Sequence, residues 1–105
     1  MARLRWAAGL LTACAPEPAA VTEAVIARDN TFVPETLRVP EGAPVTLTVT
    51  NDGAADHNLV RPDLDIDTGV IAPGAGAMVT IPPLTHPATF VCTLHTGMAI
   101  TLVPT

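Results

Sequence analysis

Between residues 23 and 103 the chain breaks into short runs of β-branched and aliphatic side chains, interrupted by Pro or Gly about every ten residues. The clearest run is Val45 to Thr50. Val45, Leu47 and Val49 alternate with Thr46, Thr48 and Thr50, so one face is built for a core and the other for water. Weaker runs of the same kind span Glu23 to Arg28, Thr36 to Val39, Met78 to Ile81, Ala88 to Cys92 and Ile100 to Val103. Turn signals separate them at Pro40-Glu41-Gly42, Asn51-Asp52-Gly53, Pro73-Gly74 and Pro82-Pro83. No helix of useful length and no internal repeat is visible, and the pattern predicts an all-β sandwich.

Asp63-Leu64-Asp65-Ile66-Asp67 alternates acid and aliphatic. Three carboxylates two apart suggest a calcium loop, but the glycine and the closing glutamate of the standard loop are missing. An acidic-faced edge strand or loop is the better reading, and acid on an edge discourages edge-to-edge pairing.

A length of 105 residues allows one small domain and leaves no room for a second, catalytic one. Hydrophobic residues make up 49% and charged residues 14%, which suits a sandwich with packed inner faces better than a solvated helical bundle. No apolar run reaches the roughly 18 residues of a membrane-spanning helix. Arg3 and Arg5 form a short positive region and Leu4 to Ala13 a brief apolar one, the form of a processing segment.

The following Leu11-Thr12-Ala13-Cys14 resembles the bacterial lipobox, which implies a signal over residues 1–13 and lipidation of Cys14. The alternatives are an ordinary signal cut after Ala13-Cys14-Ala15, or a disulfide between Cys14 and Cys92. The disulfide would deprive any metal site of its thiolate, and Pro16 sits badly after the other cut. Residues 14–21, rich in Pro and Ala, read as a semi-extended tether, and residues 22–105 as the folded domain. The expected location is extracytoplasmic, on the periplasmic side or the cell surface, with the membrane held through the lipid anchor. A lone thiol in such an oxidising compartment is a liability unless something occupies it.

From Cys14 onward, Arg28, Arg38 and Arg61 face ten Asp and Glu, a net charge of −7 with His neutral. That charge excludes nucleic acid as a partner. It favours steering toward a basic docking surface on a partner protein, or it merely keeps the domain soluble.

Candidate chemistry is concentrated in Cys92-Thr93-Leu94-His95-Thr96-Gly97-Met98, where a thiolate, an imidazole and a thioether stand three residues apart. His57, in Asp56-His57-Asn58, completes a set of two His, one Cys and one Met. Taken singly, each has an ordinary reading: a loop histidine, a small buried Cys, a turn residue, a gap-filling Met. Together they suit copper better than any hard cation, because His2Cys with a weak axial Met is the electron-transfer copper arrangement. A strand that carries Phe90 and Cys92 on one face can end there and turn back at Gly97, so that one short loop supplies three of the four donors. His86 is assigned to a surface turn and Met78 to packing.

With these residues the chain resembles the cupredoxin family, the small type 1 blue copper proteins, and within it the plastocyanin and amicyanin branch with the compact loop. The likeness covers roughly residues 22 to 105. It includes Phe32-Val33-Pro34 before Leu37-Arg38-Val39, Glu41-Gly42 before the Val45 to Thr50 strand, Asn51 leading to His57-Asn58, Pro73-Gly74, and Thr89-Phe90-Val91-Cys92. Two positions depart from the pattern. Thr96 stands where many short-loop members carry Pro, and Pro87-Ala88 replaces the usual Pro-Gly.

The resemblance implies a Greek-key β-sandwich of about seven to eight short strands. It implies one copper ion held by His57, Cys92 and His95 with Met98 axial, and a hydrogen bond from Asn58 across to the loop near Thr93. His95 would lie at the solvent-exposed end, ringed by Leu94, Thr96 and Gly97, as the electron's exit.

The expected function is that of a monomeric electron carrier that exchanges electrons with a redox protein and is not an enzyme. The multicopper enzymes that use this fold need further histidines, and only His86 remains; a dinuclear copper centre needs a second Cys in the loop. The alternative from another class is a copper delivery or storage lipoprotein. Such proteins favour exposed Met- or His-rich ligands, whereas beyond the signal this chain has only Met78 and Met98.

Overall fold

In the computed structural model the described residues are 18–105; Cys14, the expected signal and most of the expected tether lie outside them. The strand with the clearest alternation is also the most completely sorted: Val45, Leu47, Val49 and Asn51 are buried, and the threonines between them lie partly or fully in solvent. Among the described residues nine strands follow one another, β1 (Val21–Arg28), β2 (Thr31–Val33), β3 (Thr36–Val39), β4 (Val45–Asn51), β5 (Val60–Arg61), β6 (Ile66–Asp67), β7 (Gly76–Ile81), β8 (Ala88–Val91) and β9 (Ala99–Pro104). One turn of 3-10 helix at Pro62–Leu64 separates β5 from β6. Among the described residues no helix is long and apolar enough to cross a membrane.

The strands form two mixed sheets, β2-β1-β4-β7 and β3-β9-β8-β5-β6. β1 runs parallel to β4 and β3 parallel to β9, while the remaining neighbours are antiparallel. Val25, Leu47 and Val49 of the first sheet and Phe90, Ile100 and Leu102 of the second join one continuous core that also takes in Phe32 and Leu59. Burying a side chain of this size contributes about 1.5–3 kcal/mol, so this shared apolar layer fixes which face of each strand turns inward.

The six runs read from the alternating pattern are all strands. The three further strands are two or three residues long, too short for a period-two pattern to show. Of these, β6 is the acidic-faced edge of the second sheet. Ile66 points into the core while Asp63, Asp65 and Asp67 are exposed, and Asp63 pairs with Arg61.

Two ends matter for the site. β4 ends at Asn51, from which residues 52–56 loop to His57, and His57 forms an isolated bridge with Ile71. β8 and β9 form an antiparallel hairpin whose loop holds Cys92 to Met98; the Cys92 N–H donates to the Met98 carbonyl at 3.0 Å and closes it. Gly97 sits in this loop at φ +80°, a conformation that a side chain would strain.

Leu47→Ala, which empties a fully buried position of β4, is expected to cost about 2–5 kcal/mol. Met78→Ala, at a side chain 68% exposed on β7, should stay within about 0.5 kcal/mol of the parent. Urea denaturation followed by circular dichroism measures both, since the described domain has no Trp or Tyr for fluorescence.

Candidate metal centre

Alternation along β8 continues one residue past its end: Ala88, Phe90 and Cys92 are buried and Thr89 and Val91 exposed, so the thiol enters the core on the same face as the phenyl ring. The hairpin loop then returns over it. Cys92 is 4% exposed, Met98 1% and His57 0%, while His95 is half-buried. One donor atom from each of His57, Cys92 and His95 lies within 4.8 Å of the others, so these three could hold a metal ion. Cys92 Sγ stands 3.9 Å from His57 Nδ1, near the roughly 3.8 Å that separates donors set trigonally at about 2.0–2.3 Å from one ion. The two imidazoles face each other with centroids 4.5 Å apart and planes tilted by 38°.

Hydrogen bonding decides which nitrogen of His95 is available. His95 Nε2 lies 2.9 Å from the Asp56 carbonyl, and a carbonyl only accepts, so Nε2 carries the proton. The neutral ring then presents Nδ1 as its lone-pair donor, the orientation that metal-binding histidines take when their other nitrogen donates to a carbonyl. His57 differs. The nearest polar partner of its Nδ1 is the Cys92 sulfur, and its Nε2 is buried with no hydrogen-bond partner. Leaving a buried polar group unpaired costs about 1–3 kcal/mol. A proton on that Nε2 leaves Nδ1 as a lone-pair donor facing the thiol, so the residues fit a soft ion by donor chemistry, one sulfur and two imidazole nitrogens gathered at one point.

The segments that carry the donors are lashed together. Asn58 Nδ2 donates to Thr93 Oγ1 at 2.8 Å and Thr93 N–H donates to Asn58 Oδ1 at 2.8 Å. With the bond from His95 to Asp56, three hydrogen bonds tie residues 56–58 to residues 93–95. Met98 is buried beneath the loop, and its N–H donates to the His95 carbonyl at 3.3 Å. Leu94 is 47% exposed beside His95. His86 lies apart, exposed and bonded to Thr85, and Met78 is on the outer face of β7.

Two positioning features are not visible as motifs. The Asp56 carbonyl is a backbone group and carries no sequence signal. Asn51 reads as a turn residue, yet it is fully buried; the signal that could have found it is the alternation of β4, which places it on the core face with Val49.

Burial lowers the His57 pKa below its ordinary 6.5. The neighbouring His95 lowers it further, while Asp29 and Asp56 pull the other way. The unfolded chain therefore binds a proton that the folded chain refuses, and stability falls as pH drops through about 6.5 toward the lower folded value. Metal-free protein should show a lower urea midpoint at about pH 5.5 than at about pH 7.5, and a shallower slope in His57→Leu. Asn58→Ala, which breaks both bonds to Thr93, should lower stability by about 1–3 kcal/mol in the same assay.

A family model described as a cupredoxin-like domain matches residues 2–103. No curated protein matches significantly. Among solved structures, auracyanin A, a "blue" copper protein from the green thermophilic photosynthetic bacterium Chloroflexus aurantiacus, superposes with TM-score 0.68 at 16% identity over 82% of this chain and 99% of that one. A purple cupredoxin from Nitrosopumilus maritimus superposes with TM-score 0.62 at 16% identity over 78% and 98%. A copper-containing nitrite reductase from Thermus scotoductus SA-01 gives TM-score 0.65 at 18% identity, with 81% of this chain covered but only 27% of that enzyme. At these identities the structural likeness is one of fold. With the family model spanning nearly its whole length, the chain belongs to the cupredoxin family.

Proposed function

We propose that this cupredoxin is an electron carrier with one type 1 copper ion per chain, which His57, Cys92 and His95 would hold with Met98 as a fourth, weaker donor. The observation that carries the reading is the convergence of one thiol and two imidazoles on a single buried point. When bound, copper would supply the one-electron exchange between Cu(II) and Cu(I). The protein's part is to hold the donors still. Cys92 gives up its proton to bind, His57 stays neutral because it is buried, and the three bonds between residues 56–58 and 93–95 resist rearrangement. A donor set that need not move keeps the cost of each transfer small. His95, the one donor ring partly open to solvent, is the proposed route for the electron, with Leu94 beside it.

A carrier rather than an enzyme fits the histidine count, since only His86 lies outside the cluster among the three in the chain. The auracyanin fold match spans whole proteins of this size, whereas the nitrite reductase is matched over about a quarter of its length. We further propose a monomer attached to an extracytoplasmic membrane face through Cys14, meeting a redox partner through a basic surface. Asp29 and Asp56, the acids that act on His57, would favour that docking, and the on-rate should fall as salt rises.

Optical and EPR titration with Cu(II), beside Cys92→Ala, tests the reading. An intense blue band that a reductant bleaches, narrow copper hyperfine splitting and loss of both in the variant are expected. Colourless Cu(I) binding alone would turn the assignment to copper delivery, and no binding would overturn it.

A further inference from the structure

We infer that Asn51 is a positioning residue for the metal site: its buried carboxamide sets the loop and the backbone bridge that aim the His57 imidazole. Asn51 is the last residue of β4 and 0% exposed. Its Oδ1 accepts from the Gly53 N–H at 2.9 Å, and its Nδ2 donates to the carbonyls of Ala55 at 2.7 Å and Ile71 at 2.8 Å. Its backbone is engaged as well, donating to Ala75 and accepting from Gly74. One residue, through side chain and backbone together, thus ties the end of β4, the turn that follows and the 71–75 segment.

The ordinary reading of such an asparagine is a local turn cap, in which Oδ1 meets the N–H two residues on. That accounts for the bond to Gly53 and for nothing else. The two Nδ2 bonds reach further, and the second ends on the carbonyl of Ile71, which also accepts the His57 N–H at 3.1 Å. The Ile71 N–H returns to the His57 carbonyl at 2.7 Å. Asn51 and His57 are therefore held through one shared acceptor, and the backbone of His57 cannot shift without disturbing the amide.

The turn also backs the ring. A Cβ on Gly53 would lie 3.2 Å from His57 Nε2 and 2.9 Å from the Asp29 backbone nitrogen. The loop that Asn51 shapes is packed directly against the edge of the imidazole opposite Cys92. Since His57 has no hydrogen bond of its own on either nitrogen other than the long sulfur contact, its aim depends on these backbone ties and on this packing.

The test compares Asn51→Ala and Asn51→Asp with Val45→Ala. Asn51→Asp keeps the acceptor for Gly53 but replaces the donor to both carbonyls. Val45→Ala is a core truncation at the far end of β4, about 20 Å away at about 3.3 Å per residue. Both Asn51 variants should lose about 10–100-fold in copper affinity and show altered blue-band intensity ratios and wider copper hyperfine splitting. Val45→Ala should lower the melting temperature and leave the spectra alone. Asn51 variants with parental spectra and affinity, destabilised only as Val45→Ala is, would overturn the inference. If neither Asn51 variant folds, Gly53→Ala bends the same loop, and an unmoved spectrum there would count equally against it.

The inference rests on the proposed copper site only for those readouts. In metal-free protein, proton–nitrogen correlation of the His57 ring and exchange of the Gly53 and His57 amides report the same aim. Shifted ring signals and faster exchange in Asn51→Ala support it, and parental values refute it. A parent that binds no copper would thus defeat the proposed function and leave the positioning role decided.

Discussion

Everything at the metal end follows from one constraint: a buried imidazole with no satisfactory hydrogen bond must be held by its surroundings. His57 has 0% exposure, an unpaired Nε2 and an Nδ1 whose nearest polar neighbour is a thiol. Such a ring costs stability where it stands. The fold meets that cost with backbone, through the bridge to Ile71, and with a second segment, through Asn58 and Thr93. The donor cluster is thus positioned by the scaffold's own backbone and side-chain ties.

Much of this was legible in the residues. The alternation of Val45 to Thr50 marks a half-buried strand, and the strand that carries Phe90 and Cys92 on one face ends where the loop begins. What escaped has physical reasons. β2, β5 and β6 are too short to show a period, and they form because neighbours in the sheet supply their pairing. The tautomer of His95 is set by the backbone carbonyl of Asp56, which no side-chain pattern reveals. Asn51 looked like a turn because its type favours turns; its burial follows from strand parity, which ranks below residue type in a first reading.

Charge divides the chain unevenly. Residues 68–105 contain no Asp, Glu, Lys or Arg, so β7, β8, β9 and the ligand loop are neutral apart from two histidines. All the acids lie earlier, and at the metal end they come from the loops around Asp29 and Asp52 to Asp56, where Arg28 pairs with Asp52.

The parallel pairing of β3 with β9 has a further consequence, in the order of events during folding. β8 and β9 are neighbours in sequence, whereas Thr36 and Thr101 are 65 residues apart, so the β3–β9 pairing is the long-range closure that completes the second sheet. Contacts that span so much of the chain close late and slowly. Until that edge closes, the Cys92 thiol lacks the burial that leaves it 4% exposed in the finished fold, and an oxidant present at that stage would have access to the sulfur. The topology that buries the sulfur in the finished fold thus does so through a pairing of distant segments, and protection of the thiol comes only with closure of the whole second sheet.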